Sequence, residues 1–364
     1  MIAPSTPRKR VGLPTRLEPS EGAARPPAGL PLASVIVLNW NGEALLAECM
    51  DALLAQTYPR VEVIVVDNAS SDRSVGLLRD RYGEKIRLIV NETNLGFAAG
   101  NNVGIAASNG AYVLLINNDA VADAGWVAAL VREAEANDRV GMCASKILTY
   151  DDPDRIDSAG LLLSRDGLGR GRGRLQRDGG RFTRPDDVLV PSGCAALYRR
   201  AMLDRIGLFD DAFFMYCEDL DLGLRGRLAG WRCRFVPDAV VRHRYSASAG
   251  RYSLRKIFLV ERNRVWVMAK SFPVLALALS PAWTIGRLGW QAYAGWRGQG
   301  GAGRALEGGS AWMLAMTVAR AYVAAARGLP AMLRKRRTQH VSLLEFRRWL
   351  RYHGVSAREV AFTE

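Results

Sequence analysis

The chain has 364 residues, 49% hydrophobic and 24% charged, an ordinary globular composition long enough for more than one domain without disulfide support. Its net charge of +14 suits nucleic acid, an anionic membrane or phosphorylated ligands. The distribution excludes one basic domain wrapped on nucleic acid, because acids outnumber bases from Ser34 to Gly160 and the Arg excess begins near Arg165.

The stretch Met1 to Pro31 is rich in Pro, Arg, Ala and Gly and has no apolar h-region. It reads as a flexible tail over residues 1–32 rather than a secretory signal. Ala33 to Trp40 is a continuous β-branched and apolar run, the pattern of a buried parallel strand, ending in Asn39-Trp40-Asn41-Gly42. Glu43 to Gln56 has helical spacing. A second strand, Val61 to Val66, ends in Asp67-Asn68-Ala69-Ser70-Ser71-Asp72, and a short helix follows to Tyr82. A third, Ile86 to Val90, precedes Asn94-Leu95-Gly96-Phe97, which opens a helix through Asn101 to Ala107. A fourth, Tyr112 to Ile116, ends in Asn117-Asn118-Asp119. This alternation predicts a doubly wound parallel sheet, in which ligands bind beyond the carboxyl ends of the strands. Any one of these polar clusters alone reads as a turn. Four on the same rim point to a ligand site.

A helix over Trp126 to Asn137 and a strand over Val140 to Leu148 come next. Asp166 to Arg184 is a Gly/Arg segment with six Arg. It reads equally as a solvated, mobile insertion or as an arm touching a diphosphate or an acidic membrane. Val188 to Arg200 is extended and carries the small residues Ser192-Gly193-Cys194-Ala195, which serve close packing or the approach of a substrate. Behind the aromatic run Phe213-Phe214-Met215-Tyr216 stand three carboxylates, Glu218, Asp219 and Asp221. Leu220, Leu222, Leu224 and Leu228 predict a helix here, closed by Gly230. The helix dipole accounts for one acid at such a start but poorly for three. A carboxylate partly desolvated behind aromatic residues gains basicity and can act as a general base, the role expected of Asp219. Two short strands, Cys233 to Val236 and Ala239 to Val241, lead to His243.

Arg255 to Lys270 has helical spacing with basic and aromatic faces. Phe272 to Trp296 is apolar and Trp-rich, but Pro281 and Arg287 interrupt it and leave no confident membrane span. Trp312 to Leu333 is a second apolar helix, followed by Arg334-Lys335-Arg336-Arg337. Aromatics with flanking cations predict helices lying in a membrane interface, against the plainer reading of a helical cap on the preceding domain. The same helices are where a symmetric homodimer would form. The expected divisions are a tail over 1–32, a catalytic domain over 33–254 and a membrane-associating helical region over 255–364. The five cysteines (Cys49, Cys143, Cys194, Cys217, Cys233) lie far apart with no CxxC pair, which supports neither zinc nor disulfides and fits a reducing compartment.

Taken together, Asn39-Trp40-Asn41, Val66-Asp67-Asn68, Asn94-Leu95-Gly96-Phe97 with Asn101, Asn117-Asn118-Asp119, and Glu218-Asp219-Leu220-Asp221 with Arg225 resemble glycosyltransferase family 2. Within it they look like the bacterial rhamnosyltransferase-type enzymes. The resemblance covers about Ala33 to Lys270, and Arg262-Asn263-Arg264 belongs to it. It implies an α/β GT-A fold: a doubly wound, mostly parallel, Rossmann-like sheet, here with a C-terminal helical, membrane-associating extension.

By position, the resemblance implies that Asn39 and Asn41 line the nucleotide pocket and that Asp67 hydrogen-bonds the base. Asn94, Gly96, Phe97, Asn101 and Asn118 would contact the nucleotide-sugar. Asp119 is the surviving carboxylate in the metal-binding DxD place, and His243 falls where some relatives have a metal-ligating histidine. Mn²⁺ or Mg²⁺ is the implied cofactor. Glu218 and Asp221, with Gly193 and Cys194, would hold the acceptor, and Arg225 would orient the acids. The implied activity is inverting transfer from a nucleotide-diphosphate sugar to a lipid-linked or glycan acceptor in cell-surface polysaccharide synthesis. The expected donor is dTDP-L-rhamnose, with UDP- or GDP-linked sugars as alternatives. The expected location is cytoplasmic, peripheral on the inner face of the membrane. A contrasting class is a non-catalytic basic module for membranes or nucleic acid, which predicts a positive face with stacking aromatics. The acidic, Asn-rich rim argues against it and against a nucleic-acid partner. No GxGxxG follows the first strand, which disfavours a dehydrogenase.

Overall fold

In the computed structural model, β1 (Ala33–Asn39) lies between β2 (Val61–Asp67) and β4 (Tyr112–Asn117), parallel to both. β3 (Arg87–Val90) extends the parallel set beyond β2. The structure describes residues 29–244, 253–300, 311–336 and 341–362. The expected tail therefore falls almost wholly outside the described residues, as does Arg337.

Successive side chains of a strand face opposite sides, so a strand covered on both faces must be apolar throughout. Val35 and Val37 accordingly enter one core and Ile36 the other, and on β4 Leu114 and Ile116 separate from Val113 and Leu115 in the same way. The first core is closed by α1 (Glu43–Leu54), α2 (Ser74–Tyr82) and α4 (Trp126–Glu135). The second is closed by α3 (Gly96–Ala107) and α5 (Arg200–Ile206).

Beyond β4 the sheet becomes mixed. β11 (Ala195–Arg199) runs antiparallel to both β4 and β6 (Val140–Thr149), and β6 is parallel to β12 (Arg232–His243). The regular alternation of strand and crossover helix stops after α4, and without it neighbouring strands need not share a direction. The two short strands expected before His243 are one strand, irregular between Val236 and Val240, where Pro237 withholds a donor. Short β5 (Ala120–Ala122), β7 (Ile156–Ser158) and β10 (Asp186–Val188) complete the ten strands.

The Gly/Arg segment is solvated only in its second part, where most residues from Leu175 to Arg184 are exposed. Its first part makes a hairpin of β8 (Leu161–Leu163) with β9 (Gly169–Gly171), and Arg170 and Arg172 are buried. Arg172 pairs with Asp186 at 2.6 Å and stacks on Phe182 and Phe235.

α6 (Glu218–Leu228) joins this sheet to the C-terminal helices. Leu222 enters the second sheet core, while Leu220 and Leu224 enter a third core with Trp266, Phe272, Phe346 and Trp349. That core is built by α7 (Leu254–Ser271), α8 (Val274–Trp296), α9 (Ala311–Lys335) and α10 (Leu343–His353). Ser253 caps α7 by accepting from the Lys256 N–H. α9 packs on α7, and α11 (Ala357–Phe362) packs on α8. Among the described residues no helix is long and apolar enough to cross a membrane.

Candidate active site

The strand register sets Asn39 beside Asp67 and Leu38 beside Asn117, so β1, β2 and β4 deliver their polar ends to one rim. Asn39 Nδ2 donates to Asp67 Oδ2 at 2.8 Å, and Asn39 Oδ1 accepts from Asn118 Nδ2 at 2.7 Å. Asp67 also accepts from the Ser70 N–H at 2.9 Å and the Ser70 hydroxyl at 2.7 Å. Asn39 and Asp67 are fully buried and do not line the cleft. They brace the rim from within, a correction to the expectation that they touch a ligand. Asn41 also lies off the cleft. It has a φ of 50° and its Oδ1 accepts from the Ser71 N–H at 2.7 Å. Asn101 is buried and donates to the Phe97 carbonyl at 2.9 Å, within α3. A polar residue at a strand end looks the same in sequence whether it faces a ligand or pins a loop.

The cleft has a volume of about 1130 Å³, and at the rim its wall is Trp40, Asn68, Asn94, Gly96, Phe97 and Asn118. Asn94 Oδ1 accepts from the Gly96 N–H at 2.8 Å, and Asn68 Nδ2 donates to the Gly96 carbonyl at 3.0 Å. Gly96 has a φ of 78°, and a Cβ there would fall 2.5 Å from the Phe214 carbonyl oxygen. Both the conformation and the close approach call for glycine. Trp40 and Asn68 were not expected as wall residues, although both stand in the quoted strand ends.

Asp119 and His243 meet deeper in the cleft. Asp119 Oδ1 is 3.2 Å from His243 Nε2, and His243 Nδ1 is 2.7 Å from Asp157 Oδ2. Arg174 pairs with Asp157 in turn. A carboxylate on one ring nitrogen fixes the orientation of the other. Burial opposes protonation of His243 while neighbouring Cys194 and Asp119 favour it, so a metal ion bound at Nε2 would displace a proton. No cluster of three or more His, Cys, Asp or Glu side chains able to hold a metal occurs among the described residues. Asp119 and His243 thus supply two converging donors, an oxygen and a nitrogen, which fit a divalent ion whose remaining ligands come from substrate and water. Asp157 was missed from sequence, where Ile156-Asp157-Ser158 carries no motif.

Asp219, in the first turn of α6, also lines the cleft. Its Oδ2 accepts from the Gly193 N–H at 2.9 Å and its Oδ1 from the Leu220 N–H at 2.7 Å. Burial raises its pKa, and these backbone donors only partly offset that. Glu218 beside it is buried and held well above the usual carboxylate range by burial and then by the Asp219 charge. Gly193 and Cys194 line the cleft, and a Cβ on Gly193 would meet Phe97 at 3.3 Å and Asp219 at 3.4 Å. Asp221 points elsewhere. It is fully buried and paired with Arg225 at 3.0 Å and Lys270 at 2.7 Å, which corrects its assignment to an acceptor. Arg225 also donates to the carbonyls of Ile206 and Leu208, so it ties α6 to the loop after α5.

The approach to Asp219 is strained. Phe214, Tyr216 and Cys217 have φ of 64°, 70° and 67°. Asn263 of α7, fully buried, donates Nδ2 to the carbonyls of Phe213, Met215 and Tyr216 at 2.9, 2.8 and 2.7 Å. The sequence marked Arg262-Asn263-Arg264 as part of a resemblance but gave it no task.

Comparison with known proteins follows this geometry. Residues 34–207 match the model of glycosyl transferase family 2. An N-acetylglucosaminyl-diphospho-decaprenol L-rhamnosyltransferase of Mycobacterium tuberculosis is 29% identical over 265 residues, covering 64% of this chain and 85% of that protein. Other curated relatives are matched over about a third of their own length, 35% and 32% in two cases. A crystal structure of GalNAc-T7 with UDP, GalNAc and Mn²⁺ superposes with a TM-score of 0.56 at 16% identity, covering 67% of this chain and 49% of that one. A mannosyltransferase of Pyrobaculum calidifontis in complex with GDP-Man and Mn²⁺ superposes with a TM-score of 0.50 at 20% identity, covering 83% and 88%. The mixed α/β sheet is that of the GT-A fold, and residues 34–207 belong to glycosyltransferase family 2.

Proposed function

We propose that this protein is an inverting, divalent-metal-dependent glycosyltransferase. It moves a sugar from a nucleotide diphosphate to a hydroxyl of a lipid-linked or glycan acceptor in cell-surface polysaccharide synthesis. The observation that carries the reading is one cleft lined by both the carboxylate of Asp219 and the Asp119–His243 pair. Asp219 accepts the proton of the attacking hydroxyl, and its raised pKa makes it a better base than a solvated carboxylate. The Gly193 N–H holds the carboxylate in place. Single displacement from the face of the sugar opposite the leaving diphosphate inverts the anomeric carbon. Asp119 and His243 would hold Mn²⁺ or Mg²⁺, which supplies charge neutralisation for the departing diphosphate. Asn68, Asn94, Gly96, Phe97 and Asn118 form the wall against the nucleotide-sugar.

The Mycobacterium relative, an L-rhamnosyltransferase named for a diphospho-decaprenol acceptor, supports L-rhamnose as the sugar and a lipid-linked acceptor. The exposed Trp296 and Trp312, with Arg320, Arg334 and Lys335 nearby in sequence, support peripheral attachment to the inner face of the cytoplasmic membrane.

Calorimetric titration of dTDP, UDP and GDP, each with and without Mn²⁺, tests the reading. Metal-dependent binding of one nucleotide supports the donor site and selects the sugar class. Absence of binding by all three under both conditions would overturn it.

A further inference from the structure

The cleft does not end at Asp219. It continues past Tyr216 and Val260 to a ring formed by Glu261, Arg287, Gln291 and Tyr322, and then runs between α8 and α9. The charges of the ring are satisfied internally. Arg287 pairs with Asp166 at 2.6 Å and with Glu261 at 2.8 Å, Arg264 pairs with Glu261, and Gln291 accepts from Arg287. Beyond the ring the wall is apolar: Leu288, Ala292 and Trp296 from α8, and Leu314, Ala315 and Val318 from α9. α9 leans on α7 and α11 on α8, so the two walls stand apart with a groove between them. Its outer end is lined by Trp296, 80% exposed, and by Ala311, whose neighbour Trp312 is 72% exposed. Apolar surface of this extent marks a site for an apolar partner.

We propose that this branch holds the hydrocarbon tail of the acceptor lipid, with the reacting head group at Asp219. The identity of the occupant rests on the glycosyltransferase reading above. The argument for a tail, rather than a protein helix, is continuity. The groove is one space with the cleft at Asp219, it is lined by small and apolar side chains, and its far end is the face with exposed tryptophans. A single chain attached to the head group runs through all three parts. A protein helix seated on the groove would leave the inner part, beside Glu261 and Tyr322, unfilled. The wall from Ala311 to Ala319 is about 12 Å long at helical rise, enough for a substantial stretch of chain.

Two experiments on the full chain test this. The first measures acceptor KM over a series with one head group and tails of increasing length. Each methylene buried in the groove lowers KM by up to about fourfold until the groove is filled. Ala315→Trp, which fills the groove, makes the KM values of long- and short-tailed acceptors converge, and Val318→Phe is the second variant should the first fold poorly. A wild-type KM indifferent to tail length, or a tail-length dependence retained in both variants, overturns the proposal. The second experiment needs no catalysis. Equilibrium binding of geranylgeranyl diphosphate is compared with that of inorganic diphosphate, in wild type and Ala315→Trp. Tail-dependent binding lost in the variant supports the branch even if no donor sugar is transferred, which separates failure of the enzymatic reading from failure of the branch. Equal binding of the two diphosphates sinks the branch while leaving the enzymatic reading intact.

Discussion

The side-chain amide of Asn263 lies 2.7 Å from the carbonyl oxygen of Tyr216, and through it α7 holds the loop that presents Asp219. Left-handed backbone at a bulky residue costs on the order of 1–3 kcal/mol per position and persists only where surroundings impose it. Phe214, Tyr216 and Cys217 are three such positions in a row of four.

Asn263→Ala removes the donor shared by three carbonyls. The expected cost is about 2–3 kcal/mol of stability, from buried acceptors left without partners. Transfer should show a fall in kcat larger than the loss of nucleotide affinity, the latter transmitted only through Phe214, which lies against Gly96 and accepts from the Ala98 N–H. Thermal unfolding and steady-state kinetics check both. A stable variant with unchanged kcat would show that the loop keeps its shape without Asn263.

Asp219→Asn keeps the shape of the side chain and removes the base. The expected loss in kcat is at least about 10²-fold, with nucleotide binding retained in calorimetry. The pH dependence has a defined sign. Burial raises the pKa of Asp219, so its proton stays on to a higher pH than on a solvated carboxylate. Activity therefore falls on the acid side at a higher pH than a solvated aspartate would give. A pH–rate profile flat through that region would remove Asp219 from the role.

Asp157→Asn weakens the hold on His243 Nδ1. Orienting partners of metal-ligating histidines typically contribute about 10–100-fold in metal affinity. Mn²⁺ titration of the variant should show a loss in that range, with the circular dichroism of the protein unchanged. Wild-type Mn²⁺ affinity in the variant would leave Asp157 as a partner of Arg174 only.

Arg287→Met removes one of the two cations that Asp166 and Glu261 share, leaving only Arg264 between them, and the expected destabilisation is about 3–5 kcal/mol. Burial by itself would raise both carboxyl pKa values, but Arg287 and then Arg264 outweigh it and hold both below the usual range. Their contribution to stability is thus present above the ordinary carboxylate range and is lost as pH falls through it toward the lowered folded values. Melting temperature followed against pH should drop on the acid side in wild type and drop less steeply in the variant.

The strands of the parallel core were legible because a strand buried on both faces has no other way to be written than Val35-Ile36-Val37 or Val113-Leu114-Leu115. The acidic helix start was legible because Glu218 and Asp219 follow an aromatic run. Which acids face the cleft was not. Asp219 and Asp221 differ by two positions on a helix, about 200° around its axis, and only packing decides that Asp221 meets Lys270. The pairing of His243 with Asp157 joins residues 86 positions apart and has no local trace. α10 falls within the helical region expected over 255–364 but was not delimited there, and Phe346 and Trp349, three apart on one face, are what bury it.

The match to the family ends at residue 207, but the buried tetrad of Asp166, Glu261, Arg264 and Arg287 does not respect that boundary. Asp166 belongs to the turn between β8 and β9, and its partners belong to α7 and α8. A chimera that exchanged only the C-terminal helices between relatives would set a foreign surface against a buried carboxylate. The heritable unit that can be swapped is the hairpin together with the helices, and a recombinant carrying both would keep its charges matched while taking on a new groove.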